Sequence, residues 1–365
     1  MVTIPLSQTQ PPTVPMGGSG APPVLDVRGL TKRFPVGGMF NSKQVHALED
    51  VSFTVDRGET MALVGESGSG KSTAARVIAR LIAPSAGEIR LDGVDVLKSE
   101  RQPSLAYRRR VQMIFQDPFG SLNPVHTIGH HLARPLEIHK KARGRREVRE
   151  RVAELLTTVG LTPPDEVAAK YPHQLSGGQR QRVAIARALA VDPDVLLADE
   201  PISMLDVSIR MGVLNLMDRL KEERGIASLY ITHDIASARY IGDRTTVMYA
   251  GRMVEGAPST TLLDEPAHPY TRLLVSAVPN PRAGLAKRAI QVRGEVPSLL
   301  DPPPGCPFAP RCPHAMPICR EMMPGIEMVG PRHWVRCHLY GPGGTTIGSP
   351  AGPATAGLAT AGPAA

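Results

Sequence analysis

Between Val24 and about Gly256, short apolar runs alternate with stretches in which apolar residues recur at helical spacing. Thr60–Val64, Val111–Phe115, Val195–Ala198 and Leu229–Ile231 are largely apolar runs of strand length, as expected of strands buried on both faces. Ser72–Ala79 and Gln179–Leu189 suit helices, and Val148, Val152, Leu155, Leu156 and Val159 mark one face of another, with Gly160 where it should stop. Val247–Glu255 reads as two strands about a tight turn. Such alternation predicts an α/β fold over 24–256, a parallel-core sheet wrapped by helices, with a helical subdomain inserted at about 117–185.

Composition divides the rest of the 365-residue chain. Residues 1–23 are rich in Pro, Gly, Ser and Thr, and 342–365 repeat Gly, Ala, Pro and Thr, so both are expected to be disordered. Residues 257–341 form a second, small, Pro-rich region that holds all four cysteines. No apolar stretch approaches eighteen residues and the amino terminus lacks signal-peptide features, so any membrane role calls for partner chains. The formal charge is +8, densest over Lys140–Arg146. Because a helical apolar pattern follows directly, that run reads as a solvated helix face rather than a nucleic-acid surface.

Gly65-Glu66-Ser67-Gly68-Ser69-Gly70-Lys71-Ser72-Thr73 fits the phosphate-binding pattern GxxxxGK[ST], between an apolar strand and a helix. Glycines let backbone N–H groups turn in on phosphates, which Gly65, Ser67, Gly68, Ser69, Gly70 and Thr73 would surround. Lys71 would reach the terminal phosphates and the Ser72 hydroxyl would ligate Mg2+. Leu175-Ser176-Gly177-Gly178-Gln179 has the character of a helix start, with Ser176 able to cap and two glycines exposing N–H groups. Val195–Ala198 ends in Asp199-Glu200, and strand alternation puts those carboxylates on opposite sides.

These three elements, in this order, resemble the ATP-binding cassette (ABC) ATPases, with Leu175–Gln179 as the signature peptide. The resemblance implies a RecA-like parallel-core sheet, an antiparallel β-subdomain and the inserted helical subdomain. It implies that Ser176, Gly177, Gly178 and Gln179 face the γ-phosphate of ATP held by another subunit. Asp199 would hold Mg2+ and Glu200 would polarise the attacking water. Gln116 would sense the metal, His233 would bond the γ-phosphate, and Asp206 would lie on the loop between subunits, although Met204 stands where a smaller residue is common. Phe34, with Phe40 nearby, is the candidate to stack on adenine. A cassette acting on DNA or ribosomes is the rival, but repair members insert a long coiled coil between loop and signature and translation members usually carry two cassettes. Here Lys71 and Leu175 stand about a hundred residues apart without heptads, and there is one cassette.

Cys306, Cys312, Cys319 and Cys337 crowd into one stretch of an otherwise cysteine-free chain, which implies one shared site. Disulfides are disfavoured in a reducing cytosol, leaving structural zinc or an iron–sulfur cluster. No CxxC pair is present, and His314, His333 or His338 could replace a thiol on zinc. His268-Pro269-Tyr270-Thr271, Gly294–Ser298 and Gly305–Pro313, with Gln116–Pro124, resemble the carboxy-terminal extension and core of dipeptide and oligopeptide ABC importers. That branch implies a [4Fe-4S] cluster on the four cysteines. It also implies two transmembrane permease subunits on whose cytoplasmic side the chain sits, a second ATPase subunit that is commonly a different chain, an extracytoplasmic binding protein, and no nucleic acid. Nickel, a glycoside or another solute is the alternative cargo.

Overall fold

The computed structural model describes residues 22–37, 43–277 and 297–341, so Phe40 and almost all of both expected disordered ends lie outside the described residues. The larger sheet is built from β3 (Thr60–Val64), β6 (Val111–Ile114), β7 (Val195–Asp199), β8 (Ala227–Thr232), β9 (Arg244–Tyr249), β10 (Arg252–Pro258), β11 (Glu327–Gly330) and β12 (His333–Val335). Its order is β11-β12-β10-β9-β3-β8-β7-β6, and β9-β3-β8-β7-β6 are parallel. The smaller, antiparallel sheet has the order β2-β1-β4-β5, from β1 (Leu25–Val36), β2 (Lys43–Val55), β4 (Ala86–Leu91) and β5 (Val94–Asp95).

Both faces of the parallel core are buried, which is why its strands are apolar without alternation. Met61, Leu63, Val195, Leu197, Leu229 and Ile231 face one core, shared with β1, β2 and helix Lys71–Ile78. Ala62, Val64, Leu196, Ala198 and Tyr230 face the other, shared with helices Ile128–Ile138 and Gly144–Thr158 of the insertion. In the second of those helices Val152, Leu155 and Leu156 are buried, and Gly160, at φ 71°, follows its end. The basic stretch Lys140–Arg146 runs into the first turn of that helix, where Arg146 is exposed and paired to exposed Glu150. β9 and β10 close through Ala250 and Gly251, whose φ angles of 47° and 79° suit a type I′ hairpin turn.

The Pro-rich region adds strands to the main sheet, as β12 pairs antiparallel with β10 and β11 pairs with β12. Its anchor is Glu255, fully buried on β10. That carboxylate accepts Ala267 N–H at 2.7 Å and His268 N–H at 2.9 Å, and His333 Nε2 lies 2.7 Å from it. Such a burial is tolerable because the carboxylate oxygens are hydrogen-bonded. Among the described residues no helix is long and apolar enough to cross a membrane.

Candidate nucleotide site

At the end of β3 the chain must turn against β9, and Gly65 is there because a β-carbon would lie 2.2 Å from the Met248 carbonyl oxygen. Gly70, at φ 103°, precedes helix Lys71–Ile78, and its β-carbon would lie 2.4 Å from Ala47 O. The loop between them curls around the Lys71 ammonium, which donates to Gly65 O at 2.7 Å and Glu66 O at 2.8 Å. Burial lowers the Lys71 pKa, while Glu200, Asp199 and Glu66 act to raise it. Ser72 Oγ donates to Asp199 Oδ1 at 2.8 Å. Burial raises the Asp199 pKa against that hydrogen bond. A hydroxyl beside a carboxylate offers the hard oxygen donors that Mg2+ prefers.

Strand alternation stops at Asp199. Glu200 has φ 46°, in the left-handed region, and its N–H donates to Ile231 O at 2.9 Å. That turn aims its carboxylate at two neighbours: Gln116 Nε2 donates at 3.1 Å to one oxygen, and His233 Nδ1 lies 3.1 Å from the other. Gln116, Glu200 and His233 follow β6, β7 and β8, adjacent parallel strands whose carboxyl ends deliver all three to one pocket with Lys71 and Ser72. A non-glycine residue held at positive φ is strained, and such strain collects where function over-determines geometry.

The signature peptide forms its expected cap. Ser176 Oγ accepts Gln179 N–H at 3.3 Å and Gln179 Oε1 accepts Ser176 N–H at 2.9 Å, a reciprocal capping box on helix Gly177–Leu189. Gly178 abuts Ile209, whose Cγ2 would be 2.5 Å from a β-carbon, and Asp206 stands at the start of helix Val207–Arg224 without a side-chain capping bond. Neither the signature nor Asp206 lines the phosphate-loop pocket of its own chain. Phe34 does not line it either: it is 36 % exposed on β1, with the Lys32 ammonium 4.9 Å from its ring centre. The wall on that side is Ala47 with Leu274 and Leu299, residues of the Pro-rich region that sequence reasoning missed. Leu299 is placed by backbone pairing, since its carbonyl accepts His46 N–H at 2.8 Å.

Cys306, Cys312, Cys319 and Cys337 converge on one small pocket that His314, His338, Phe308 and Leu339 also line. Burial pushes the Cys306 thiol up to about 11, Cys337 up to about 12, and Cys312 upward. The four thiols therefore share one pocket, without being drawn together into a ligand set for either zinc or a cluster. Among the described residues no three His, Cys, Asp or Glu side chains are gathered to hold one metal ion. His333, a candidate ligand by sequence, is committed to Glu255.

A strand–loop–helix phosphate cradle, served by the carboxyl ends of three parallel strands, defines a P-loop nucleotide-binding protein. The family profile of ABC transporters matches residues 48–203, and that of the oligopeptide/dipeptide transporter C-terminal region matches 254–319. The chain is 46 % identical over 323 residues to the oligopeptide transport ATP-binding protein AppF of Bacillus subtilis (strain 168), spanning 87 % of this chain and 97 % of that one. It is 44 % identical over 307 residues to the dipeptide transport ATP-binding protein DppF of Haemophilus influenzae, spanning 84 % and 93 %. The dimeric, post-hydrolysis structure of the ATP-binding cassette MJ0796 bound to ADP and Pi matches with a TM-score of 0.57 and 33 % identity, over 64 % of this chain and 98 % of that one. The chain belongs to the ABC transporter family of ATPases, in the branch defined by the oligopeptide/dipeptide transporter C-terminal region.

Proposed function

We propose that this chain is the ATP-hydrolysing subunit that energises import of dipeptides or oligopeptides, docked at the cytoplasmic face of two permease subunits fed by an external binding protein. The observation that carries the catalytic part is the convergence in one pocket of Lys71, Ser72 and Glu200 between Gln116 and His233, with buried Asp199 behind Ser72 and hydrogen-bonded to it. The peptide cargo rests on the names of the relatives AppF and DppF. Ser72 and Asp199 would hold Mg2+, which would neutralise charge on the transferring phosphoryl group. Lys71 and the loop amides would hold the β- and γ-phosphates. Glu200 would take the proton of the attacking water, with Gln116 and His233 orienting that carboxylate and the water. Glu200→Gln keeps the side-chain shape but removes the base. In the assembled transporter it should cut steady-state ATP hydrolysis by about a hundredfold or more with ATP binding retained, and unchanged turnover would sink the assignment.

The cysteine pocket enters the proposal as the place of a [4Fe-4S] cluster, which would supply a structural cross-link for the extension. What supports it is the chemistry of the donor set: four reduced thiols around one buried, largely apolar pocket. Binding would have to displace protons from thiols whose pKa burial has raised. Iron and acid-labile sulfide in anaerobically purified protein are the expected result; stoichiometric zinc without sulfide would overturn it.

A further inference from the structure

Glu66 is the one carboxylate within the phosphate loop, and its charge faces a site built to take a polyphosphate. Left alone it would oppose the anion. It is not left alone. Arg311, from the Pro-rich extension, donates Nη1 to Glu66 Oε2 at 2.9 Å and Nη2 to Oε1 at 3.1 Å, a two-pronged ion pair. The extension also holds the backbone at the same residue, since Glu66 N–H donates to the Tyr270 hydroxyl at 2.9 Å. Glu66 O in turn accepts from Lys71 at 2.8 Å and from Ser69 N–H at 3.2 Å, so this residue ties together both the turn of the loop and its lysine.

Arg311 is itself fixed. Its side chain is 10 % exposed, its guanidinium lies 5.8 Å from the Tyr249 ring centre and 5.9 Å from that of Phe308, and Nη1 also donates to the Tyr249 hydroxyl at 3.2 Å. It ends the single turn Ala309–Arg311, between Cys306 and Cys312. Backbone bonds hold that turn, with Arg311 N–H donating to Phe308 O at 2.9 Å and Cys306 N–H to Cys319 O at 2.8 Å. The arm that reaches the phosphate loop thus springs from a turn whose Ala309, with neighbouring Phe308 and Cys312, lines the cysteine pocket.

We propose that Arg311 is a positioning residue of the ATP site: it holds Glu66 in place and cancels its charge, so the carboxy-terminal extension sets both the geometry and the polarity of the phosphate loop. The proposal rests on the assignment of Gly65–Thr73 as the ATP site. Arg311 touches no phosphate; it acts through Glu66. Removing one partner of a part-buried ion pair leaves the other charge uncompensated, and here that charge would stand in the loop itself.

The test is binding of the Mg2+ complex of the non-hydrolysable analogue AMPPNP to the full chain, by titration calorimetry, with the melting temperature of each variant recorded. Lys71→Ala serves as the control for the site. Arg311→Met is expected to weaken binding about tenfold, as for truncation of one member of a part-buried charge pair. Arg311→Lys should lose less, and Glu66→Gln added to Arg311→Met should recover most of the loss, because the stranded charge is gone. A merely structural role would not give that recovery. Binding by Arg311→Met within about twofold of the parent, with Lys71→Ala still impaired, would overturn the proposal alone. So would a loss that Glu66→Gln fails to relieve and that tracks the melting temperature. Normal binding by Lys71→Ala would overturn the ATP-site assignment, and this proposal with it.

Discussion

A β-carbon at Gly65 would meet a backbone carbonyl at 2.2 Å, and a carbonyl in the sheet cannot step aside as a flexible side chain can. Gly93 is the contrasting case: it has φ 81° but nothing within 4 Å of its β-carbon, so substitution there costs only backbone strain. Gly65→Ala is therefore expected to lose about 3 kcal/mol or more, against about 1 kcal/mol for Gly93→Ala, in urea unfolding. Equal losses would mean that β9 yields freely beside the loop. Lys71 and Glu200 make a related point. Each is defined less by its type than by what holds it: loop carbonyls around the ammonium, and Gln116 with His233 on the two oxygens of a carboxylate turned out of its strand.

The short helix Pro269–Ser276 shows how an element carries function by its ends. His268 caps it, Nδ1 accepting Tyr270 N–H at 3.0 Å, Pro269 opens it, and Tyr270 then reaches the phosphate loop. An Nδ1 that accepts a backbone N–H cannot carry a proton, and complete burial lowers the His268 pKa from 6.5 to about 4. As pH falls from 6.5 towards 4, the unfolded chain takes up a proton that the folded chain refuses, so stability falls across that window and is unaffected by this group above it. The loss at its lower end is about 3 kcal/mol. His268→Asn retains a capping side chain without the titration, so its urea midpoint should fall less steeply than the parent's between those pH values; parallel slopes would refute it. The strands, the helices and the loop were legible because buried parallel strands are apolar throughout and phosphate cradles demand glycines in order. Leu274 and Leu299 were not, because they reach the site from far along the chain and no local pattern marks a residue that acts through tertiary placement; Tyr270 and Arg311 stood in visible motifs, but their reach to the phosphate loop did not show. The motif around His268 was visible, but its physical meaning needed Glu66 opposite Tyr270.

At the scale of the molecule, the phosphate-loop pocket and the Leu175–Gln179 peptide stand apart in the chain. Lys71, Ser72, Gln116, Glu200 and His233 share a pocket in which Ser176, Gly177, Gly178 and Gln179 take no part. Helix Gly177–Leu189 packs instead into the core beneath the insertion, its first turn against Ile209 and its capping box closed on itself. A signature that acts on nucleotide must then do so on the pocket of another cassette, in keeping with the dimer seen for MJ0796. Ser176→Asp separates the two arrangements. Aspartate is as good an N-cap as serine and suits the positive helix end, so the helix survives, while a carboxylate is placed where a γ-phosphate would dock. The variant chain should bind ATP as the parent does. In the Glu200→Gln background, which blocks hydrolysis, it should fail to associate with its partner cassette when ATP is added, as read by sedimentation velocity. Were Ser176→Asp instead to impair ATP binding by the single chain as Lys71→Ala does, signature and phosphate loop would have to meet within one chain, and the paired assembly would lose its physical basis.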